Sequence, residues 1–325
     1  MERKAAGGGS ERALTLGLAL LALVPIWGFE RLATQDGPSH LYNTHILIAW
    51  DDEGSVFPSR YERDLAPIPN WLGTALLYPL MLAAPPATAD RILASLGILA
   101  MAAAWRWWLS GFAPRPGPLA AAGGLLSCGF FLFKGLYSFW LSVPLLLATL
   151  GLAWRIRGQV TVPRAALLNL LLGAVFLGHA VTFGVALLAV SAILAFAPAA
   201  GRPPGARAAR AAWAAPAWLL AADLAARAGG AETSRWGAWR VTLYLARGEW
   251  LVFGPPAQLA VSCGLMALLA LLGLRAAAAR KPGSLPAGTV ASLVVPAGAI
   301  VILCYLLPRG LDGGSFLTDR LAVFP

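Results

Sequence analysis

Residues 35–45 read Gln35-Asp36-Gly37-Pro38-Ser39-His40-Leu41-Tyr42-Asn43-Thr44-His45. Aspartate is favoured just before a helix, and Gly-Pro fits a first helical turn. A helix opening here places Asp36, His40 and Asn43 near one face, at spacings of four and three. A carboxylate, an imidazole and an amide grouped at a membrane surface suit a hydroxyl acceptor and a phosphate, with Asp36 as general base. The same spacing also describes a capped amphipathic helix whose polar face meets water. Spacing alone leaves both readings open.

Other polar groups stand at breaks between apolar runs. Lys134 precedes Gly135-Leu136-Tyr137-Ser138. This is either a ligand-facing turn or a lysine whose stem lies along apolar surface while its head stays in water. His179 separates two apolar runs, as a ligand group or as a polar residue at a tight turn. Arg235, Arg240, Arg247, Arg309 and Arg320 add cations late in the chain. They suit an anionic ligand, or they pair with Glu232, Glu249, Asp312 and Asp319. Cys128, Cys263 and Cys304 lie in apolar runs without CxxC spacing or a paired histidine, as small buried hydrophobes do. No Walker loop, GxGxxG, HExxH or nucleophile elbow is present, so soluble-nucleotide chemistry is not supported.

The elements that must position these groups are apolar. Of 325 residues, 58% are hydrophobic and 12% charged, about half the charged fraction of a soluble domain. Apolar runs cover 12–29, 88–109, 118–134, 137–154, 163–178, 181–198, 211–226, 256–275 and 287–307. A run of about 18 or more apolar residues is a candidate span, and lipid obliges the backbone to satisfy its own hydrogen bonds. The fold class expected is all-α, a polytopic transmembrane helical bundle forming one membrane domain over 1–325. Span 1 covers 12–29, followed by a long outer loop over 30–87 that carries interfacial helices. About eight further spans over 88–307 come next, and 308–325 reads as an outer loop with the start of a truncated span.

Orientation follows from arginine and lysine, which favour the cytoplasmic side. The N-terminus and the stretches Arg106 to Arg115, Arg155 to Arg164, Arg202 to Arg210 and Arg275 to Lys281 are rich in them. An even number of crossings must then separate the N-terminus from Arg106. Span 1 and 88–109 already supply two, so 70–84 does not cross. Its length agrees, because about 15 helical residues reach only about 22 Å. The expected setting is an integral multi-pass plasma (inner) membrane protein with a cytoplasmic N-terminus. The net charge of +10 then reports topology, and no nucleic-acid partner is expected.

This organisation resembles the GT-C superfamily of polytopic glycosyltransferases, which use polyprenyl-phosphate-linked sugars. The likeness covers about the first 200 residues. It rests on a first span, an early outer-loop aspartate (Asp36 in Gln35-Asp36-Gly37-Pro38) and a helix opened by Pro69-Asn70-Trp71. The Tyr137-containing break and His179 at a later turn complete it, with weaker support around Asp319-Arg320. The resemblance implies that Asp36 acts as the base, with the bilayer and a polyprenyl-phosphate-linked sugar as partners. His40, Asn43, Lys134, Tyr137, His179 and Arg320 are the expected substrate-binding groups, with Lys134, His179 and Arg320 converging on a lipid phosphate. Metal-dependent members often carry a second acid near the outer break. Residues 134–140 hold neither Asp nor Glu, which argues against a divalent metal, and no cofactor is assigned. The alternative function is a transporter or flippase for a lipid-linked or small solute. Transporters favour ionisable groups near the midplane. Here only Asp223 lies clearly inside an apolar run, which favours surface chemistry.

Overall fold

The computed structural model describes residues 6–112, 118–198, 206–227, 237–248 and 287–306, with isolated positions between 256 and 271 and at 320. Among them every regular element is helical and no strand occurs. The longer helices are α1 (Ala6–Trp27), α2 (Gly37–Ile48), α3 (Leu72–Ala83) and α4 (Pro86–Leu109). After the short α5 (Gly123–Leu126) and α6 (Phe130–Lys134) come α7 (Tyr137–Ile156), α8 (Val162–Gly178) and α9 (Ala180–Phe196). The described remainder holds α10 (Ala206–Ala211), α11 (Ala215–Arg227), α12 (Ala238–Arg247) and α13 (Ala287–Leu306). Three helices, Pro86–Leu109, Tyr137–Ile156 and Gly288–Leu306, are long and apolar enough to cross a membrane.

Two compact units divide the chain, the first comprising Met1–Gly151 with Gly173–Phe183 and the second Leu152–Leu172 with Gly184–Pro325. In the first unit, small residues let helices approach closely, the packing mode available when lipid removes the usual hydrophobic drive. A Cβ on Gly97 of α4 would lie 2.1 Å from the Trp140 indole, and one on Gly124 would lie 2.9 Å from Ala19 Cα of α1. The buried stripe of α4, Leu93, Ala94, Gly97 and Ile98, keeps the spacing of one helical face. Its outward positions, such as Leu96 and Leu99, are apolar and exposed.

The run 118–134 is interrupted. A 3-10 turn over Pro118–Ala122 leads into α5, and Gly129 adopts an extended conformation before α6. The segment 70–84 contributes the 12-residue α3, about 18 Å of helix. In the second unit, Asn169 Nδ2 donates to the Trp213 carbonyl (2.9 Å) and Trp218 Nε1 to Ser191 Oγ (3.1 Å). α11 starts only after a 3-10 turn over Ala212–Ala214. The run 256–275 falls largely outside the described residues, as do Arg235, Arg309, Glu232, Glu249, Asp312 and Asp319.

Candidate functional site

The polar end of the first unit is built from short helices whose loose ends satisfy one another. The first donors of any helix and its last carbonyls have no partner inside that helix. At the start of α2, Gln35 N–H donates to the Phe133 carbonyl and Asp36 N–H to the Lys134 carbonyl, both at 3.0 Å. These are the last carbonyls of α6. At the start of α3, Asn70 N–H donates to Gly178 O (3.2 Å) and Trp71 N–H to Leu177 O (2.9 Å), the last carbonyls of α8. Each junction brings a positive helix start against a negative helix end, which is favourable. Gly73 N–H donates to Ser138 Oγ (3.0 Å), and that hydroxyl donates to the Asn70 carbonyl (2.8 Å).

Glycine makes the first junction possible. Gly135 closes α6 at φ +79°, in the left-handed region. A Cβ there would lie 2.6 Å from Gly37 N and 2.8 Å from Asp36 N. Asp36 sits at the N-cap of α2 as the Asp-Gly-Pro pattern predicts, yet its carboxylate makes no capping bond. Its carbonyl instead receives the Ser39 and His40 N–H groups. The half-exposed carboxylate therefore remains available at a fixed backbone position.

Behind Asp36 lies a buried polar chain. Tyr137 Oη donates to Asp90 Oδ1 at 2.6 Å and shares a hydrogen bond with Thr34 Oγ1 at 3.2 Å. The His40 ring stacks on Tyr137, with centroids 5.3 Å apart and planes 25° apart. Burial pushes the His40 imidazole below its usual range, while a hydrogen bond with the Gly135 backbone and the Asp36 charge pull it the other way. Lys134 Nζ donates to Gln35 Oε1 at 2.6 Å, which ties the turn to the residue before Asp36.

The structure thus brings together Asp36, His40, Lys134 and Tyr137, which are dispersed over a hundred residues of chain. Asn43 is exposed farther along α2, in the wall of a cavity of about 440 Å³. His179 stands at the break between α8 and α9 and is buried, at 3% exposure. Its Nδ1 accepts the Val181 N–H (3.1 Å), and its ring meets the edge of Phe139. It sits beside the α8 carbonyls that receive Asn70 and Trp71. Arg320 belongs to the second unit, and its neighbours in sequence lie outside the described residues.

Asp90 is the residue that sequence reasoning missed. It lies inside an apolar helix at 4% exposure, so Asp223 is not alone in that setting. A signal was present. Asp90 precedes Leu93, Ala94, Gly97 and Ile98 at helical intervals, so it heads the stripe that faces protein. Asp223, by contrast, is exposed on α11.

An apolar groove of about 820 Å³ runs between α3, α4, α7 and Ala174 of α8. Leu72, Leu76, Ala100 and Ala148 are among its lining residues. The opposite face of α3, through Trp71 and Thr74, lines the smaller polar cavity. Among the described residues, no three His, Cys, Asp or Glu side chains gather as metal ligands. No family model matches the chain, nor does any curated protein or solved structure.

Proposed function

We propose that the chain is a membrane glycosyltransferase that moves a sugar from a polyprenyl-phosphate donor to a hydroxyl acceptor at the outer membrane face. One observation carries this reading: Asp36 holds a helix N-cap position without using its carboxylate to cap, beside His40 and the Lys134 turn. In the reaction the acceptor O–H gives its proton to Asp36 as the oxygen attacks the anomeric carbon. The bond from that carbon to the phosphate oxygen breaks, and the polyprenyl phosphate leaves with both electrons. Cations near the leaving phosphate, Lys134 first among them, stabilise its charge. The apolar groove beside α3 suits the isoprenoid tail.

The N-terminus is cytoplasmic on this reading and α3 lies along the outer surface. Asp36→Asn keeps the shape and removes the base, so transfer falls about 100- to 10,000-fold while the melting temperature is unchanged. Normal transfer by this variant sinks the mechanism. The topology has its own test, in which single cysteines replace Gly54 and Gly111 and intact cells meet an impermeant thiol reagent. Gly54→Cys reacts and Gly111→Cys does not; labelling of both removes the outer-loop assignment.

One observation favours the transporter alternative. A buried carboxylate inside an apolar helix, as at Asp90, is a common mark of a proton or ion path. Proteoliposomes separate the two readings. A proton-coupled transporter accumulates solute when a proton gradient is imposed and loses that movement in Asp90→Asn, whereas the transferase works without a gradient.

A further inference from the structure

The cavity of about 440 Å³ opens between the end of α2, the loop after it and the start of α3. Its wall mixes aromatic rings (Trp50, Tyr61 and Trp71) with short polar groups (Asn43, Glu62 and Asn70). Ring faces offer flat apolar area, while amide and carboxylate groups accept and donate hydrogen bonds at fixed points. A ligand matched to both has apolar C–H faces and a rim of hydroxyls, as a pyranose does.

The charges argue against an anion. Arg63, the cation of the wall, already lies 3.3 Å from Asp51 and stacks 5.2 Å from the Trp50 ring centroid. Glu62 and Asp64 of the same wall are acids. A phosphate or carboxylate entering here meets more negative than positive charge. Asn70 stands at φ +74°, in the left-handed region that asparagine enters more readily than most residues with a side chain. Its N–H is bonded to Gly178 O and its carbonyl to Ser138 Oγ, so the surrounding structure imposes that conformation.

We propose that this cavity binds a neutral pyranose, one residue of the acceptor glycan; its place in the acceptor rests on the glycosyltransferase reading above. Asn43 lies seven residues after Asp36, two turns on along the same face of α2. Asn43 therefore lies about 10 Å along the helix from the base, so the hydroxyl that reaches Asp36 is carried by the next residue of the acceptor glycan, beyond the pyranose held here. The cavity continues into a second depression that shares Leu47, Arg63, Trp71 and Thr74 with it, which leaves room for a longer glycan.

The full chain in detergent is studied by saturation-transfer NMR with methyl glucopyranoside, galactopyranoside and mannopyranoside. Glucuronic acid and inorganic phosphate serve as anionic probes. At least one neutral glycoside receives saturation. Its affinity falls about tenfold in Trp71→Leu, the loss of roughly one aromatic contact, and falls in Asn43→Ala. Asn43 is exposed on a helix, so alanine there preserves the fold and covers the case in which Trp71→Leu unfolds. The proposal is overturned if no neutral glycoside binds, if only the anionic probes bind, or if affinity is unchanged in folded Trp71→Leu and Asn43→Ala. Glycoside binding together with normal transfer by Asp36→Asn refutes the base assignment alone. Absent binding together with lost transfer in Asp36→Asn refutes the sugar cavity alone.

Discussion

The start of α2 and the start of α4 each carry an aspartate beside a helix N-terminus, in opposite surroundings. Asp36 is half exposed, precedes its helix and makes no capping bond. Asp90 is inside the second turn of α4, almost fully buried, and accepts a short hydrogen bond from Tyr137. An accessible carboxylate with open lone pairs can take a proton from a substrate. A buried one that is bonded to a phenol fixes the phenol ring. Tyr137 joins the two regions, because it also bonds Thr34 and stacks on His40. Asp90 is thus linked through Tyr137 to Thr34 and His40, which flank Asp36 in sequence.

The sharpest break of this comparison pairs Asp36→Asn with Tyr137→Phe. The first loses about 100- to 10,000-fold in rate and keeps its melting temperature; the second loses stability. Equal stability losses in both would erase the distinction. Next in size is Gly135→Ala. A left-handed residue with a side chain costs roughly 1–2 kcal/mol, and the new Cβ also collides with Asp36 N and Gly37 N. A destabilisation of at least about 2 kcal/mol is expected. Detergent-state denaturation reads it, and a parent-like stability would mean the α6–α2 junction is loose.

Tyr137→Phe itself removes the donor to Asp90 and the partner of Thr34, a cost of about 1–2 kcal/mol. The smallest effect belongs to His40. Its folded pKa lies below the unfolded value of 6.5, so the unfolded chain binds the extra proton first as pH falls. Stability is complete above about 6.5 and declines as pH drops below it towards the folded pKa. Asp36 and Tyr137 are the ionisable neighbours in this setting. Thermal melts from pH 7.5 to about 5 should show this decline, with a shallower slope for His40→Gln. Identical slopes would place the titration elsewhere.

Much of the helical layout was legible. The runs 88–109, 137–154, 163–178, 181–198 and 287–307 correspond to α4, α7, α8, α9 and α13 within two residues at each end. Long uninterrupted apolar runs have few alternatives to a helix. Pro86 at the start of α4 supplied punctuation of the usual kind. The stretch 118–134 was less legible. A Cβ on Gly123 would lie 2.7 Å from Trp105 Cβ of α4, and one on Gly124 2.9 Å from Ala19 Cα of α1. Tertiary contact there competes with a continuous helix.

Composition, hydropathy and turn residues were enough to specify the helical class, most of the helix limits and the position of Asp36 at the head of α2, since these depend on local chemistry. Three features came only from the packed chain. These are the unused Asp36 carboxylate, the Asp90–Tyr137–Thr34 hydrogen bonds and the interior place of His179. The Tyr137 hydrogen bonds and the Phe139–His179 ring contact join groups 40 or more residues apart in sequence. Helical periodicity relates a residue only to neighbours three or four positions away, so such meetings arise when α2 and α3 close onto the carbonyl ends of α6 and α8.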